Sequence, residues 1–205
     1  MHPSPRDVGW IEVICGSMFS GKTEELIRRL RLAQIARQRV LVFKPRLDDR
    51  FAETEIVSRA DVRLQCRVVD SAKEILPQVG DATVVGVDEA QFFDLELVRV
   101  CEALANAGRR VLVAGLDQDF RGEPFETMAT LLSVAEYVDK VLAICVKCGN
   151  PANRSQRLVA STSRIVVGDT DAYEARCRKC FVADAPGPLQ ADLPFLPPVD
   201  PDPDD

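Results

Sequence analysis

Short apolar runs recur along the first 145 residues, separated by amphipathic stretches. Within these runs polar and apolar residues do not alternate strictly, which is typical of strands that are covered on both faces of a sheet. The runs predict strands at residues 10–15, 39–45, 67–69, 83–89, 110–117 and 141–145.

The stretches between the runs have helical periodicity. In residues 23–38, Leu26, Leu30 and Ala33 share one face, and arginines occupy the opposite one. A further helix is predicted at residues 71–76, with Ser71 as its candidate N-terminal cap. Further helices are predicted at 94–108 and 125–136. Strands that alternate with helices predict an α/β fold with a parallel sheet flanked by helices.

Composition narrows the class of protein. The chain of 205 residues is 46% apolar and 28% charged, as expected for one domain or one domain with a small appendage. Its 32 acidic and 26 basic side chains give a net charge of −6, which argues against non-specific nucleic-acid binding. We find neither an apolar run of membrane-spanning length nor a signal region, so no membrane partner and a cytoplasmic location are expected.

The segment GSMFSGKT at residues 16–23 fits the G-x-x-x-x-G-K-[ST] pattern of a phosphate-binding loop. It follows a predicted strand and precedes a predicted helix, as such a loop requires. Backbone N–H groups would surround the phosphates, Lys22 would reach the outer phosphates, and Thr23 would bind Mg²⁺. The sequence therefore predicts a nucleoside triphosphate site formed by Gly16, Ser17, Met18, Phe19, Ser20, Gly21, Lys22 and Thr23.

Two acidic residues end the apolar run at 83–89. Asp88 is placed to assist Mg²⁺, and Glu89 is a candidate general base. The only histidine is His2, so a histidine base is not expected. If water is the nucleophile, the protein is an ATPase; if a bound hydroxyl is the nucleophile, it is a kinase. A helicase would need a second motor domain, for which a chain of this length has no room.

Four of the seven cysteines form two C-x-x-C pairs, Cys145 with Cys148 and Cys177 with Cys180. Two such pairs can supply four thiolates to one structural Zn²⁺, which would pin the loop 149–176 between them. Dithiol redox chemistry and an iron–sulfur cluster are the alternatives. The organisation predicted for the chain is a flexible N-terminus (1–8), an α/β nucleotide-binding domain (9–143), a zinc-ribbon-like domain (144–181) and a disordered tail rich in proline and aspartate (182–205).

Six features occur in one order along the chain and together resemble the type II thymidine kinases over residues 9–181. They are GSMFSGKT (16–23), LDDR (47–50), VDEAQFF (87–93), GLDQDFRGEPF (115–125), the two cysteine pairs, and VGDTDAY (167–173), which lies between those pairs. The resemblance implies transfer of the γ-phosphate of ATP to the 5′-hydroxyl of thymidine, with catalytic Mg²⁺ and structural Zn²⁺.

The resemblance also implies roles for individual residues. Glu89 would be the base that acts on the 5′-hydroxyl. The phosphate loop, Asp88 and Glu89 are already predicted to bind ATP and Mg²⁺. The resemblance adds five residues to this site: Asp48, Asp49, Arg50, Ala90 and Gln91. The thymine base would lie against Met18, Phe92, Leu116, Phe120 and Phe125, and Tyr173 would hold the deoxyribose. A lasso loop would cover the base through backbone contacts at Arg164, Ile165, Val166, Val167 and Gly168.

Beyond the site, the resemblance implies a homotetramer with dTTP as feedback inhibitor. The chain departs from the family at Ala90, where glycine is frequent, and at residues 58–61, where Ser-Arg-Ala-Asp replaces Ser-His-x-Gly. Two alternatives remain: a related deoxynucleoside kinase with another base preference, such as deoxyuridine, and an ATPase that moves a partner protein and uses its zinc ribbon for docking.

Overall fold

The computed structural model describes residues 8–46, 55–57, 63–159 and 172–183. Its centre is a six-stranded sheet in which each strand pairs in parallel with its neighbours. In chain order the first eight strands are β1 Trp10–Cys15, β2 Val40–Pro45, β3 Glu55–Val57, β4 Arg63–Gln65, β5 Arg67–Val69, β6 Val84–Val87, β7 Arg110–Gly115 and β8 Tyr137–Lys140. The central sheet has the order β5-β2-β6-β7-β1-β8, and β3 pairs with β4 in a separate hairpin.

In the described residues, three α-helices cover the two faces of the sheet: α1 Lys22–Ile35, α2 Glu96–Asn106 and α3 Glu126–Val134. Helix α1 packs Leu26 and Leu30 on one face, whereas α2 and α3 contribute Leu97 and Met128 to the larger cluster on the other. The predicted α/β fold with a flanked parallel sheet is thus confirmed. None of the helices in the described part of the chain has the length and apolar character that a membrane crossing needs.

Two of the predicted elements differ in the structure. Of the predicted strand 141–145, only Ala143–Ile144 is a strand, and it lies outside the central sheet. The last strand of the central sheet is β8, because α3 ends at Val134 and the chain pairs with β1 directly afterwards. Residues 71–76 form no α-helix but lie in two short 3₁₀ turns, Ala72–Glu74 and Leu76–Gln78. Pro77 lies in the second turn and lacks the N–H that would continue an α-helical ladder.

A second group of small sheets surrounds the cysteine pairs. Its strands are β9 Ala143–Ile144, β10 Pro151–Ala152, β11 Arg154–Arg157 and β12 Tyr173–Arg176. β9 pairs with β10 and β11 pairs with β12, both antiparallel. The described ends of the predicted loop 149–176 are therefore strands.

An unpredicted ion network ties β1 to the elements around it. Glu12 of β1 is buried, with only 5% of the residue exposed, and its carboxylate accepts hydrogen bonds from Arg29 of α1, Arg110 of β7 and Trp10. Arg29 also donates to Glu25 and to Asp139 of β8. Burial opposes ionisation of Glu12, but the bonds from Arg110, Trp10 and Arg29 outweigh it and lower its pKa.

We expect Arg29→Met to destabilise the protein by about 3–5 kcal/mol, because it leaves the buried charge of Glu12 with less compensation. The control is Arg28→Met, which removes an exposed ion pair with the same Glu25 and should cost less than about 1 kcal/mol. Chemical denaturation of both variants measures the difference. Equal losses of unfolding free energy would contradict a special role for the buried network.

Candidate active site

The phosphate-binding loop connects β1 to α1. At Gly16 the backbone has φ +151°, and a Cβ built there would lie 2.2 Å from the carbonyl oxygen of Val141. Only glycine fits this close approach. Lys22 Nζ and Ser20 Oγ each donate to the carbonyl oxygen of Ser17 at 2.8 Å, so both side chains fold back over the loop. The loop and the start of α1 therefore have the form of a phosphate site.

Asp88 follows β6 at the same edge of the sheet. Thr23 Oγ1 donates to Asp88 Oδ2 at 3.2 Å, and the backbone N–H of Glu89 donates to Oδ1 at 3.0 Å. A hydroxyl and a carboxylate from two different elements thus meet beside the loop. Oxygen donors of this kind fit Mg²⁺, which is commonly held by one or two protein ligands together with phosphates and water.

The charge of Lys22 is balanced by acids from two neighbouring strands. Desolvation lowers the pKa of Lys22, and the carboxylates of Glu89, Asp88 and Asp117 oppose that shift. Negative charge from two strand ends, β6 and β7, thus faces the lysine of the loop.

Glu89 adopts a left-handed backbone conformation, with φ 52° and ψ 41°. This is a strained region for a residue other than glycine, and such strain clusters at functional sites. Gln91 fixes the side chain: its Nε2 donates to Glu89 Oε2 at 2.5 Å, while its Oε1 accepts from the N–H of Leu116 at 3.0 Å. A Cβ at Gly115 would lie 2.9 Å from that Oε1, so glycine permits the bridge.

The predicted nucleoside residues divide between two clusters. Phe120 and Tyr173 pack with Ala172, Met18 and Phe19, on the loop side of the site. Phe125 and Leu116 instead pack with the sheet core beneath α2 and α3. Phe92 is half-buried on the 3₁₀ turn Ala90–Phe92, and Ala90 itself is part of the core.

Several predicted site residues lie outside the described residues. They are Asp48, Asp49 and Arg50 on the nucleotide side, and Arg164, Ile165, Val166, Val167 and Gly168 on the nucleoside side.

Further polar residues at the site were missed by the sequence analysis. Asp117 is buried after β7 and forms an ion pair with Lys140 at 2.6 Å. Ser155 Oγ accepts from the N–H of Met18 at 3.0 Å, and Arg157 donates to the hydroxyl of Tyr173. Asp117 could have been found because it follows an apolar run, as Asp88 does. Ser155 and Arg157 carry no such local signal.

The four paired cysteines converge next to the C-terminal ends of β9 and β12, which Cys145 and Cys177 directly follow. The Sγ atoms of Cys145, Cys148, Cys177 and Cys180 all lie within 4.8 Å of one another. Tetrahedral Zn–S bonds of about 2.3 Å place sulfur atoms about 3.8 Å apart, so the four thiols fit such an ion.

Backbone hydrogen bonds shape the turns that carry the cysteines. The N–H of Gly149 donates to the carbonyl oxygen of Cys145 at 2.9 Å, which closes the first turn. Burial opposes ionisation of Cys145, but backbone hydrogen bonds from Cys177, Lys147 and Cys148 outweigh it and lower its pKa to about 6. Side-chain hydrogen bonds with Cys148 and Cys177 instead raise the pKa of Cys180 to about 12, so the convergence of the four sulfur atoms is what favours a metal site.

A phosphate loop after β1, an acid pair after β6 and a parallel sheet define a P-loop nucleotide-binding protein. A thymidine kinase family model matches residues 9–181, and the chain belongs to the thymidine kinase family. It is 63% identical over 174 residues to a thymidine kinase of Rhodothermus sp. (strain ITI 518); the aligned region covers 85% of this chain and 82% of the relative. It is 54% identical over 186 residues to a thymidine kinase of Chloroflexus aurantiacus, with 86% and 96% covered.

Among solved structures, the X-ray structure of the Legionella pneumophila ATPase DotB matches 64% of this chain and 35% of its own, with 18% identity and a TM-score of 0.38. A likeness of this size supports no conclusion about the function of the chain.

We expect metal analysis of the purified protein to give one Zn²⁺ per chain, and Cys177→Ser to lose most of it, because a tetrahedral thiolate site needs all four ligands. The control is Cys66→Ala, which removes a buried cysteine outside the cluster and should keep its zinc. A wild-type protein without zinc, or a zinc-replete Cys177→Ser, would contradict the site.

Proposed function

We propose that the protein is an ATP:thymidine 5′-phosphotransferase, which converts thymidine to dTMP. The names of its relatives support the reaction, and one observation on this chain carries it: Glu89 is held beside the phosphate loop by Gln91 and by its own strained backbone. A carboxylate fixed at that place suits removal of a proton from a hydroxyl nucleophile.

In this proposal the loop from Gly16 to Thr23 binds the triphosphate of ATP, and Lys22 Nζ turns from Ser17 to the outer phosphates. Thr23 and Asp88 would hold Mg²⁺, which supplies positive charge to the β- and γ-phosphates when bound. Glu89 accepts the proton of the thymidine 5′-hydroxyl. The 5′-oxygen forms a bond to the γ-phosphorus, and the bond from that phosphorus to the bridging oxygen breaks, which leaves ADP.

The aromatic cluster supports a nucleoside pocket at the same place. Phe120 and Tyr173 pack with Met18 of the phosphate loop, so a base held by these side chains lies close to the phosphates. Flat pyrimidine rings suit apolar aromatic walls, with polar groups placed at their edges. The zinc site would act structurally, by fixing β9 and β12 beside this cluster.

Other parts of the proposal rest on the family alone. The roles of Asp48, Asp49 and Arg50, the lasso contacts at 164–168, the homotetramer and the inhibition by dTTP stay predictions. The cytoplasmic location likewise stays a prediction from the sequence.

A nucleoside panel tests the reaction. With ATP and Mg²⁺, we expect ADP release to depend on added nucleoside, with thymidine preferred over deoxyuridine and deoxycytidine, and dTMP as product. ADP release without nucleoside would instead indicate an ATPase. Preference for another nucleoside would support a nucleoside kinase but contradict thymidine as its substrate.

We expect Glu89→Gln to lower kcat by about 10²–10⁴-fold while binding of a non-hydrolysable ATP analogue persists, because the amide cannot accept the proton. Asp94→Asn is the control, since Asp94 is an exposed acid in the same segment whose contact is the N–H of Glu96. If Glu89→Gln kept more than about a tenth of wild-type turnover, Glu89 would not be the base.

A further inference from the structure

Strand β11 joins the metal-binding region to the candidate site, and its side chains alternate between two environments. Ser155 and Arg157 point to the phosphate loop and the aromatic cluster, where they contact Met18, Phe120 and Tyr173. Arg154 and Gln156 lie on the opposite face of the strand. Gln156 contacts Val182, whereas Arg154 contacts Phe181 and donates to Gln118 and to the carbonyl oxygen of Gly122. The contacts with Met18, Phe120 and Tyr173 thus come from the face of Ser155 and Arg157.

Arg157 is a buried cation in an aromatic setting. The residue is 6% exposed, and its guanidinium carbon lies 3.5 Å from the centroid of the Phe120 ring. Its Nη2 donates to the hydroxyl oxygen of Tyr173 at 3.2 Å, from the position directly opposite on β12. One side chain thus contacts two of the predicted walls of the pocket at once.

The chemistry of this contact fixes the direction of a hydrogen bond. A guanidinium has donors and no acceptor, so the oxygen of Tyr173 must accept the bond from Arg157. The hydroxyl hydrogen of Tyr173 then points elsewhere and can be donated to a ligand. The arrangement prepares Tyr173 as a donor towards an oxygen of the bound sugar.

We propose that Arg157 is a positioning residue of the nucleoside pocket: it holds the Phe120 ring by stacking and makes Tyr173 a hydrogen-bond donor towards the nucleoside. This inference rests on the proposed function, because it takes the aromatic cluster as the thymidine site. It also gives a physical route from the metal to the pocket, since β12 pairs with β11 at Arg157 and runs directly into Cys177.

Kinetics of matched variants test the role. Arg157→Met should raise the thymidine KM by about 10–100-fold, as expected for the loss of a buried cation–π contact and a charged hydrogen bond. The KM for ATP should stay unchanged, because the phosphate loop is built on the central sheet. Arg157→Lys keeps the charge but loses the planar stack, and should give an intermediate thymidine KM.

The control is Gln156→Met, on the same strand and similarly buried. Its polar contacts are with backbone groups: the N–H and the carbonyl oxygen of Val182, and at 3.5 Å the carbonyl oxygen of Arg157, but not the Arg157 side chain. It should lower the melting temperature without raising the thymidine KM. Equal effects of Arg157→Met and Gln156→Met on that KM would overturn the proposal and leave Arg157 a structural residue. If Arg157→Met does not fold, Arg157→Lys and Gln156→Met carry the same comparison.

A double-mutant cycle tests the route through Tyr173. If Arg157 acts through that hydroxyl, combining Arg157→Met with Tyr173→Phe should raise the KM by clearly less than the product of the two single effects. A fully multiplicative result would overturn this part of the proposal. Failure of the proposed function would look different, since the wild-type protein would then not phosphorylate thymidine at all.

Discussion

Parallel pairing of β1, β6 and β7 is the constraint on which the site depends. Because the strands run in one direction, the segments that follow them emerge at one edge of the sheet: the phosphate loop after β1, Asp88 and Glu89 after β6, and Asp117 after β7. Residues far apart in the chain thereby lie within hydrogen-bonding distance, as Thr23 and Asp88 show. Because the helices cover both faces of the sheet, a ligand would bind at the edge formed by the C-terminal ends of these strands.

The parts of the site that follow from the sequence are those with local signatures. The loop 16–23 has fixed spacing, Asp88 and Glu89 follow an apolar run, and paired cysteines share one turn. The positions of the main strands follow similarly, since strands covered on both faces form continuous apolar runs. β8 was not predicted, because it lies at the edge of the sheet, where its residues are only partly buried and form no continuous apolar run.

Contacts between side chains that are distant in the sequence could not be predicted from local patterns. Glu12 stands out as a charge inside an apolar strand, but nothing in the sequence says that Arg29 and Arg110 meet it. The stacking of Arg157 on Phe120 depends on how the metal-binding strands lie against the central sheet. Such contacts are set by tertiary packing, which neither periodicity nor spacing encodes.

The position of β1 in the sheet also has a consequence for synthesis on the ribosome. β1 is synthesised well before its two neighbours, β7 and β8, and its Trp10 pairs with Arg110. At translation rates of about 5–20 residues per second, β1 waits roughly 5–20 s for its first partner. During that time the apolar segment WIEVIC has neither of its sheet partners. The strand that carries the phosphate loop is thus built into the sheet only after β7 has been synthesised.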